Sequence, residues 1–105
     1  MPAPRSRSRR LALSLPVEVW GEDDDGRTFH ESARTLNISG GGLCFETGRR
    51  LDIGGRLILE LRLAPHLRPR FGGRPRYRVR AVVCRLENFA DADRFRVGVR
   101  FLGEV

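Results

Sequence analysis

The sequence contains no lysine and only two cysteines among its 105 residues. Cys44 and Cys84 each lie in an apolar, strand-like run, which predicts buried thiols without a disulfide. A structural zinc site needs about four cysteine or histidine ligands at short spacing, and His30 and His66 stand apart from both cysteines. We therefore expect no bound metal.

Long hydrophobic runs are also missing. No stretch approaches the roughly 20 apolar residues of a membrane span, and the apolar segment 11–19 is broken by Pro16 and Glu18 and has no small-residue cleavage site. These absences predict a cytoplasmic protein. No Ser/His/Asp, Cys/His or paired-carboxylate arrangement can be assembled either, so we expect neither an enzyme nor a cofactor.

All 20 basic residues are arginines, against 13 acidic residues, which gives a net charge of +7. The planar guanidinium suits bidentate contact with phosphate and with the O6/N7 edge of guanine. The charge therefore predicts an anionic partner, which is a nucleotide, a nucleic acid or an acidic protein surface. A small barrel that binds RNA or single-stranded DNA is the less favoured alternative, because such proteins stack bases on exposed aromatic rings and Trp20 is the sole candidate platform.

Alternation of apolar and polar residues, the period of a half-buried strand, recurs along the chain. The predicted strands are residues 11–19, 28–36, 43–46, 57–63, 77–86 and 94–102. This spacing is typical of an all-β, six-stranded antiparallel barrel with no substantial helix. The acidic run 22–26 ends in Asp-Gly and predicts a solvated hairpin turn. Residues 64–76, rich in proline, glycine and arginine, predict a long basic loop whose role the sequence leaves open.

One polar glycine run separates two apolar segments at residues 36–45. Consecutive glycines accept positive φ angles and allow close approach to the backbone, and Asn37 and Ser39 add short hydrogen-bonding side chains. Such a turn can hold an anion. A flexible hairpin loop is the other interpretation of the same residues.

A second cationic feature precedes the first predicted strand. Residues 1–10 contain two prolines, alternating serines and arginines and no apolar periodicity, which predicts a mobile arm. With the glycine run, this arm resembles the PilZ domain family, which carries RxxxR before the first barrel strand and (D/N)xSxxG at the start of the third. Arg5 and Arg9 match the first motif. Asn37, Ser39 and Gly42 match the second, and residues 95–101 are similar to the closing strand of the family.

The resemblance covers nearly the whole chain and implies a split-barrel fold over residues 11–105. It also implies a single-domain receptor for cyclic di-GMP, a dianionic bacterial second messenger. The contacts it implies come from the arm and the turn, namely Arg5, Arg9, Arg10, Asn37, Ser39 and Gly42.

The arginine register stays open. The family commonly places its second motif arginine directly before the first apolar strand residue, which here is Arg10, whereas the literal match ends at Arg9. In the family, a further arginine directly before the RxxxR motif is associated with binding of a ligand dimer. This sequence has Pro4 at that position, which favours one bound molecule. Binding is expected to order the arm and change the surface that a downstream protein contacts. A ligand-independent adaptor acting through protein contacts is the alternative.

Overall fold

The computed structural model describes residues 12–88 and 93–105. Within them it contains six strands and one short 3₁₀ helix. The strands are β1 (Pro16–Glu22), β2 (Thr28–Ile38), β3 (Gly42–Thr47), β4 (Arg56–Arg62), β5 (Arg76–Asn88) and β6 (Phe95–Glu104). The prediction of a six-stranded antiparallel barrel is confirmed.

All neighbouring strands are antiparallel, and the sheet closes into a barrel in the order β1-β2-β3-β6-β5-β4. Side chains on one phase of each strand fill the interior, because successive residues of a strand face opposite sides of the sheet. Val17, Val19, Leu59, Leu61 and Val97 are completely buried there. The other phase forms the outer wall, which carries nine arginines.

The acidic run forms the predicted turn between β1 and β2. Gly26 adopts a φ of 79°, and the Asp23 carboxylate accepts hydrogen bonds from the backbone N–H groups of Asp25 and Arg27. These bonds hold the pKa of Asp23 below its ordinary value, with the Arg27 contact the larger cause. The side chain of Asp23 is therefore engaged in shaping the hairpin.

The first strand begins later than the alternation predicts. β1 starts at Pro16, although Leu13 and Leu15 still pack against the core. Proline has no N–H to donate to a ladder, and the first position of a strand tolerates it. Alternating burial thus continues for a few residues beyond the point where ladder pairing stops.

The basic segment 64–76 contains a 3₁₀ helix, Pro65–Phe71, so the prediction of an irregular loop is wrong there. Proline at the first helical positions costs no hydrogen bond, and Gly72 ends the helix in the left-handed region with a φ of 78°. Leu67 is buried in the core, and Arg68 Nε donates to the Leu63 carbonyl at 3.1 Å. The helix therefore lies against one end of the barrel. No helix among the described residues is long and apolar enough to cross a membrane.

Candidate functional site

The glycine run forms a tight turn between β2 and β3. The Ser39 N–H donates to the Gly42 carbonyl at 2.9 Å, and the Ser39 hydroxyl accepts from the Gly41 N–H at 3.2 Å. The same hydroxyl lies 3.4 Å from the Gly42 carbonyl as a donor. The Gly41 carbonyl in turn accepts from Phe101 of β6 at 2.9 Å. The turn is therefore fixed to the barrel wall, unlike a flexible hairpin loop.

Gly42 is required for a reason other than the one that the sequence suggests. Neither Gly40 nor Gly42 adopts a positive φ, so that expectation is wrong at both positions. A Cβ on Gly42 would lie 2.1 Å from the Val99 carbonyl oxygen, whereas a Cβ on Gly40 would meet open space. The first residue of β3 thus has to be a glycine because the backbone of β6 passes too close for any side chain.

An open groove of about 450 Å³ runs from this turn over the outer wall of β3, β6 and β5. Its size lies in the range of small-molecule sites. Its lining residues are Asn37, Ser39, Gly41, Gly42, Leu43, Cys44, Cys84, Arg85, Glu87, Arg96, Gly98 and Val99. We call it the turn groove. It brings together Asn37, Ser39 and Gly42, the three predicted site residues that lie in the described part of the chain.

A β-bulge forms the far wall of the turn groove. Val83 pairs with Val99 and Arg85 pairs with Gly98, which leaves Cys84 as the extra residue of β5. The Cys84 side chain is exposed and its thiol lies 3.4 Å from the Gly98 carbonyl. The prediction that Cys84 is buried is therefore wrong, because Val79, Ala81 and Val83 form the buried phase of β5 and Cys84 lies on the opposite phase. Cys44 is half-buried in the same groove.

The bulge turns Arg85 outward, onto the same side of the sheet as Cys84. Its side chain lies over Gly98, where an added Cβ would come within 3.3 Å of the Arg85 Cβ. The exposed Arg85 guanidinium makes no ion pair or hydrogen bond with any residue that the structure describes. Arg96, by contrast, lies 3.8 Å from the Glu87 carboxylate farther along the groove. Two guanidinium groups therefore line the groove, and one of them has no anionic partner there.

Asn37 contributes the remaining polar side chain of the turn groove. It is half-buried at the end of β2, and its amide forms no side-chain hydrogen bond within residues 12–88 and 93–105. An amide offers both donors and an acceptor. Because Ser39 is occupied in the turn and Asn37 is not, Asn37 is the better placed of the two to contact a bound molecule.

Residues 12–15, which immediately precede β1, run toward this turn. Leu15 N–H donates to the Thr35 hydroxyl at 2.9 Å, and that hydroxyl donates to the Leu13 carbonyl at 2.5 Å. Because β1 and β2 are antiparallel, residues before Leu15 are directed along β2 toward Asn37. The predicted ligand arginines of the arm, Arg5, Arg9 and Arg10, lie outside the described residues.

A second polar cluster occupies a different part of the wall, on β1 and β2. His30 Nε2 lies 2.6 Å from Glu18, and the Ser32 hydroxyl donates to both Glu18 oxygens at 2.9 Å. These contacts lower the pKa of Glu18, that of Ser32 most. Ser32 donates to the carboxylate rather than to the histidine, so the arrangement does not activate a nucleophile.

The tryptophan of this cluster is covered by its neighbours. His30 stacks on Trp20 with ring centroids 4.8 Å apart, and the Arg78 guanidinium lies 5.1 Å from the Trp20 ring centroid. A base would have to displace these contacts to stack there. The structure therefore gives no support to the single-stranded nucleic-acid alternative.

The one group of acidic side chains close enough to share a metal ion, within the described residues, is Asp23, Asp24 and Asp25, whose ligand atoms lie within 4.8 Å of one another. The backbone of the hairpin already uses the Asp23 carboxylate. Exposed acidic turns of this kind are common without a bound ion, so the geometry does not define a metal centre.

The fold and groove together define a small closed β-barrel with a polar, arginine-bearing groove on its outer wall. The PilZ domain model matches residues 4–104 of the sequence. This chain belongs to the PilZ domain family. The comparison with curated protein sequences finds no match.

Solved structures show the same fold at low sequence identity. The Bacillus subtilis inhibitor of motility, MotI/DgrA, has a TM-score of 0.71 at 20% identity, over 98% of this chain and 45% of that one. The PilZ domain of YcgR from Escherichia coli with c-di-GMP has a TM-score of 0.60 at 18% identity, covering 94% and 79%. The K. pneumonia MrkH–c-di-GMP complex has a TM-score of 0.62 at 18% identity, covering 96% and 45%. This chain thus spans less than half of the MotI and MrkH chains.

Proposed function

We propose that this chain is a receptor for cyclic di-GMP that binds the dinucleotide in the turn groove. Asn37 hydrogen-bonds a guanine edge or a ribose-phosphate oxygen, and Gly42 keeps the backbone accessible. Arg85 and the arm arginines Arg5, Arg9 and Arg10 contact phosphate and the O6/N7 edge of guanine. Family membership and the named ligand of the YcgR and MrkH structures support this choice of ligand.

The observation that carries the proposal is the composition of one groove. Asn37, Ser39 and Gly42, which the sequence pattern selects, line it together with the unpartnered guanidinium of Arg85. A dianionic ligand suits a groove that has an uncompensated cation and an amide with unused donors and acceptor. The direction of the chain before β1 supports participation of the arm, because Leu13 and Leu15 lead toward Asn37.

The energy of the ligand contacts can be compared with the entropic cost of ordering the arm. Charge-assisted hydrogen bonds contribute about 1.5–3 kcal/mol each, so three or four supply on the order of 5–10 kcal/mol. Ordering about five arm residues costs a comparable amount, at roughly 1–2 kcal/mol per residue. Contacts with the groove must then provide the net affinity, which we expect to be micromolar, a binding free energy of about −8 kcal/mol. The arm orders over the barrel as the ligand binds, and this change is the signal to a downstream protein.

Isothermal titration calorimetry with cyclic di-GMP, beside linear GMP and cyclic AMP, tests the proposal. We expect saturable heat with cyclic di-GMP alone. Replacing Arg85 with alanine should weaken binding about tenfold or more, since a charge-assisted hydrogen bond is lost. The matched control is Arg27→Ala, which removes the same charge from the β1–β2 turn, outside the groove.

The arm requires its own variant. Arg9→Ala/Arg10→Ala should abolish binding and leave the unfolding free energy within about 0.5 kcal/mol, as expected for exposed substitutions. A separate Arg5→Ala variant resolves the arginine register, because affinity falls only if Arg5 contacts the ligand. If cyclic di-GMP gives no heat with the unaltered protein, the receptor function is wrong and the ligand-independent adaptor replaces it.

A further inference from the structure

The outer face of β4, β5 and β6 carries a compact group of arginines outside the lining of the turn groove. Arg56 and Arg100 lie directly opposite Val82 on its two sides, because Val82 pairs with Arg56 in β4 and with Arg100 in β6. Arg80 lies two residues before Val82 on the same face. Strand spacing places the Arg56 and Arg100 backbones about 10 Å apart and Arg80 about 7 Å from Val82.

These three guanidinium groups form no ion pair or hydrogen bond with any group in residues 12–88 and 93–105. Glu60 lies 3.9 Å from Arg76 and Glu104 is paired with Arg74, and the carboxylates of Glu22 and Asp52, which line a pocket with Arg56, form no ion pair with it. Positive charge on this face is therefore concentrated and uncompensated. An anionic partner gains Coulomb energy here without displacing an internal ion pair.

The centre of the group is apolar. Val82 and Ile58 are half-buried on the same face, and Ile58 pairs directly with Arg80. A second bulge in the β5–β6 ladder lies at Leu102 of β6, because Arg80 pairs with Gly103 and Ala81 pairs with Phe101. Leu102 is 41% exposed. We call the six residues the arginine patch, namely Arg56, Ile58, Arg80, Val82, Arg100 and Leu102.

We propose that the arginine patch is the docking surface for an acidic, amphipathic segment of a partner protein. An apolar centre with arginines around it is the composition of protein interfaces, in which arginine is enriched and lysine depleted. Phosphate backbones make no use of three aliphatic side chains, and no uncovered aromatic ring lies in the patch for base stacking. Glutamate or aspartate side chains would pair with the three guanidinium groups while leucine-like side chains cover Val82 and Leu102.

The position of the patch connects it with the proposed receptor function, which this inference deepens. Arg100 is the direct pairing partner of Gly42 at the turn, and Val82 lies two residues from Cys84 on the groove wall. A ligand and an ordered arm at the turn groove would therefore border the docked segment. Binding of the partner and of the dinucleotide should consequently affect each other, by the same factor in both directions.

Fluorescence anisotropy with three labelled probes tests the docking surface without any dinucleotide. The first is a peptide of alternating glutamate and leucine, the second a glutamate and serine peptide of equal length and charge, and the third a 20-base-pair DNA duplex. We expect the glutamate and leucine peptide to bind at least about fivefold more tightly than the other two, since only it buries apolar surface. Tighter binding of the duplex would overturn the inference in favour of a nucleic-acid surface.

Variants then locate the binding surface. Arg56→Ala/Arg80→Ala should weaken the glutamate and leucine peptide about tenfold, whereas Arg27→Ala/Arg62→Ala, with the same loss of charge elsewhere, should change affinity less than about twofold. Leu102→Ser should weaken this peptide and leave the glutamate and serine peptide unchanged. Equal effects of the two double variants would mean that binding follows net charge alone, and the patch would be rejected.

The same variants separate this inference from the receptor proposal. Arg56→Ala/Arg80→Ala should titrate with cyclic di-GMP as the unaltered protein does, because neither residue lines the turn groove. A protein that binds the peptide but gives no heat with cyclic di-GMP would retain the docking surface and lose the receptor function. A protein that gives heat with cyclic di-GMP but binds no peptide selectively would retain the receptor function and lose the docking surface.

Discussion

Gly42→Ala is the most demanding test of how the turn is built. The added Cβ would lie 2.1 Å from the Val99 carbonyl oxygen and 3.3 Å from the Arg100 Cα. Both are backbone atoms, so no rotamer change relieves the overlap, and β3 must move from β6 by roughly 1 Å to reach even a tight contact. That movement stretches the ladder in which Gly42 pairs with Arg100 and Leu43 with Val99.

The expected cost follows from two contributions. Overpacking of a close contact costs about 1–3 kcal/mol, and weakening the hydrogen bond from Phe101 N–H to the Gly41 carbonyl adds about 1 kcal/mol. Gly42→Ala should therefore lose about 2–4 kcal/mol of unfolding free energy, a large part of the roughly 5–15 kcal/mol of a typical domain. Gly40→Ala is the matched control, because its Cβ meets nothing within 4 Å and its φ is not left-handed.

Guanidinium denaturation followed by tryptophan fluorescence measures both variants, since Trp20 is the single tryptophan and lies within β1. Gly40→Ala should stay within about 0.5 kcal/mol of the unaltered protein. The reasoning would be refuted if Gly42→Ala matched Gly40→Ala in unfolding free energy, because the close approach of β3 and β6 would then not require glycine.

Three further measurements examine other contacts. Thr35→Val leaves the buried Leu15 N–H without an acceptor and should cost about 1–3 kcal/mol in thermal denaturation, with Thr35→Ser much closer to the unaltered protein. Because the pKa of Glu18 is lowered in the folded state, its contacts stabilise the protein fully above about pH 4.5, and this stabilisation disappears as the pH falls through the lowered folded pKa. The stability difference between the unaltered protein and Ser32→Ala should therefore shrink on acidification. A difference that stays constant would contradict a role of Ser32 in lowering the pKa of Glu18. Cys84 should react with iodoacetamide, and saturating cyclic di-GMP should slow that reaction, whereas an unchanged rate would place the ligand elsewhere.

The strands were predictable because alternation reports directly which face of a sheet is buried. Leu57, Leu59 and Leu61 are all buried in β4, and each of the six predicted strands corresponds to one strand of the barrel. The turn was predictable as well, since Asn37 and Ser39 lie beside glycines in a polar interruption. The local sequence pattern thus predicts both the barrel and one wall of the candidate site.

The opposite wall depends on pairing between distant strands, which a local pattern does not contain. The bulge that turns Arg85 into the turn groove is defined by register against β6. One signal for it exists in the sequence, because the apolar phase passes from Val83 to Leu86, a step of three where strict alternation requires two. The requirement for glycine at position 42 has no such signal, since it arises from the nearby Val99 carbonyl.

Closure of the barrel has a consequence for how the chain acquires its structure. Two seams join strands that are distant in sequence: Val17 of β1 pairs with Leu61 of β4, some 40 residues away, and Leu43 of β3 pairs with Val99 of β6, more than 50 residues away. β5 and β6 are adjacent in sequence and share the longest ladder. Because nearby pairings close smaller loops, this hairpin should form early and the β1–β4 and β3–β6 seams late, and refolding should be slow for a protein of this length. Until those seams close, the strand edges that they join offer unsatisfied backbone groups to other chains, so aggregation during refolding should increase with protein concentration.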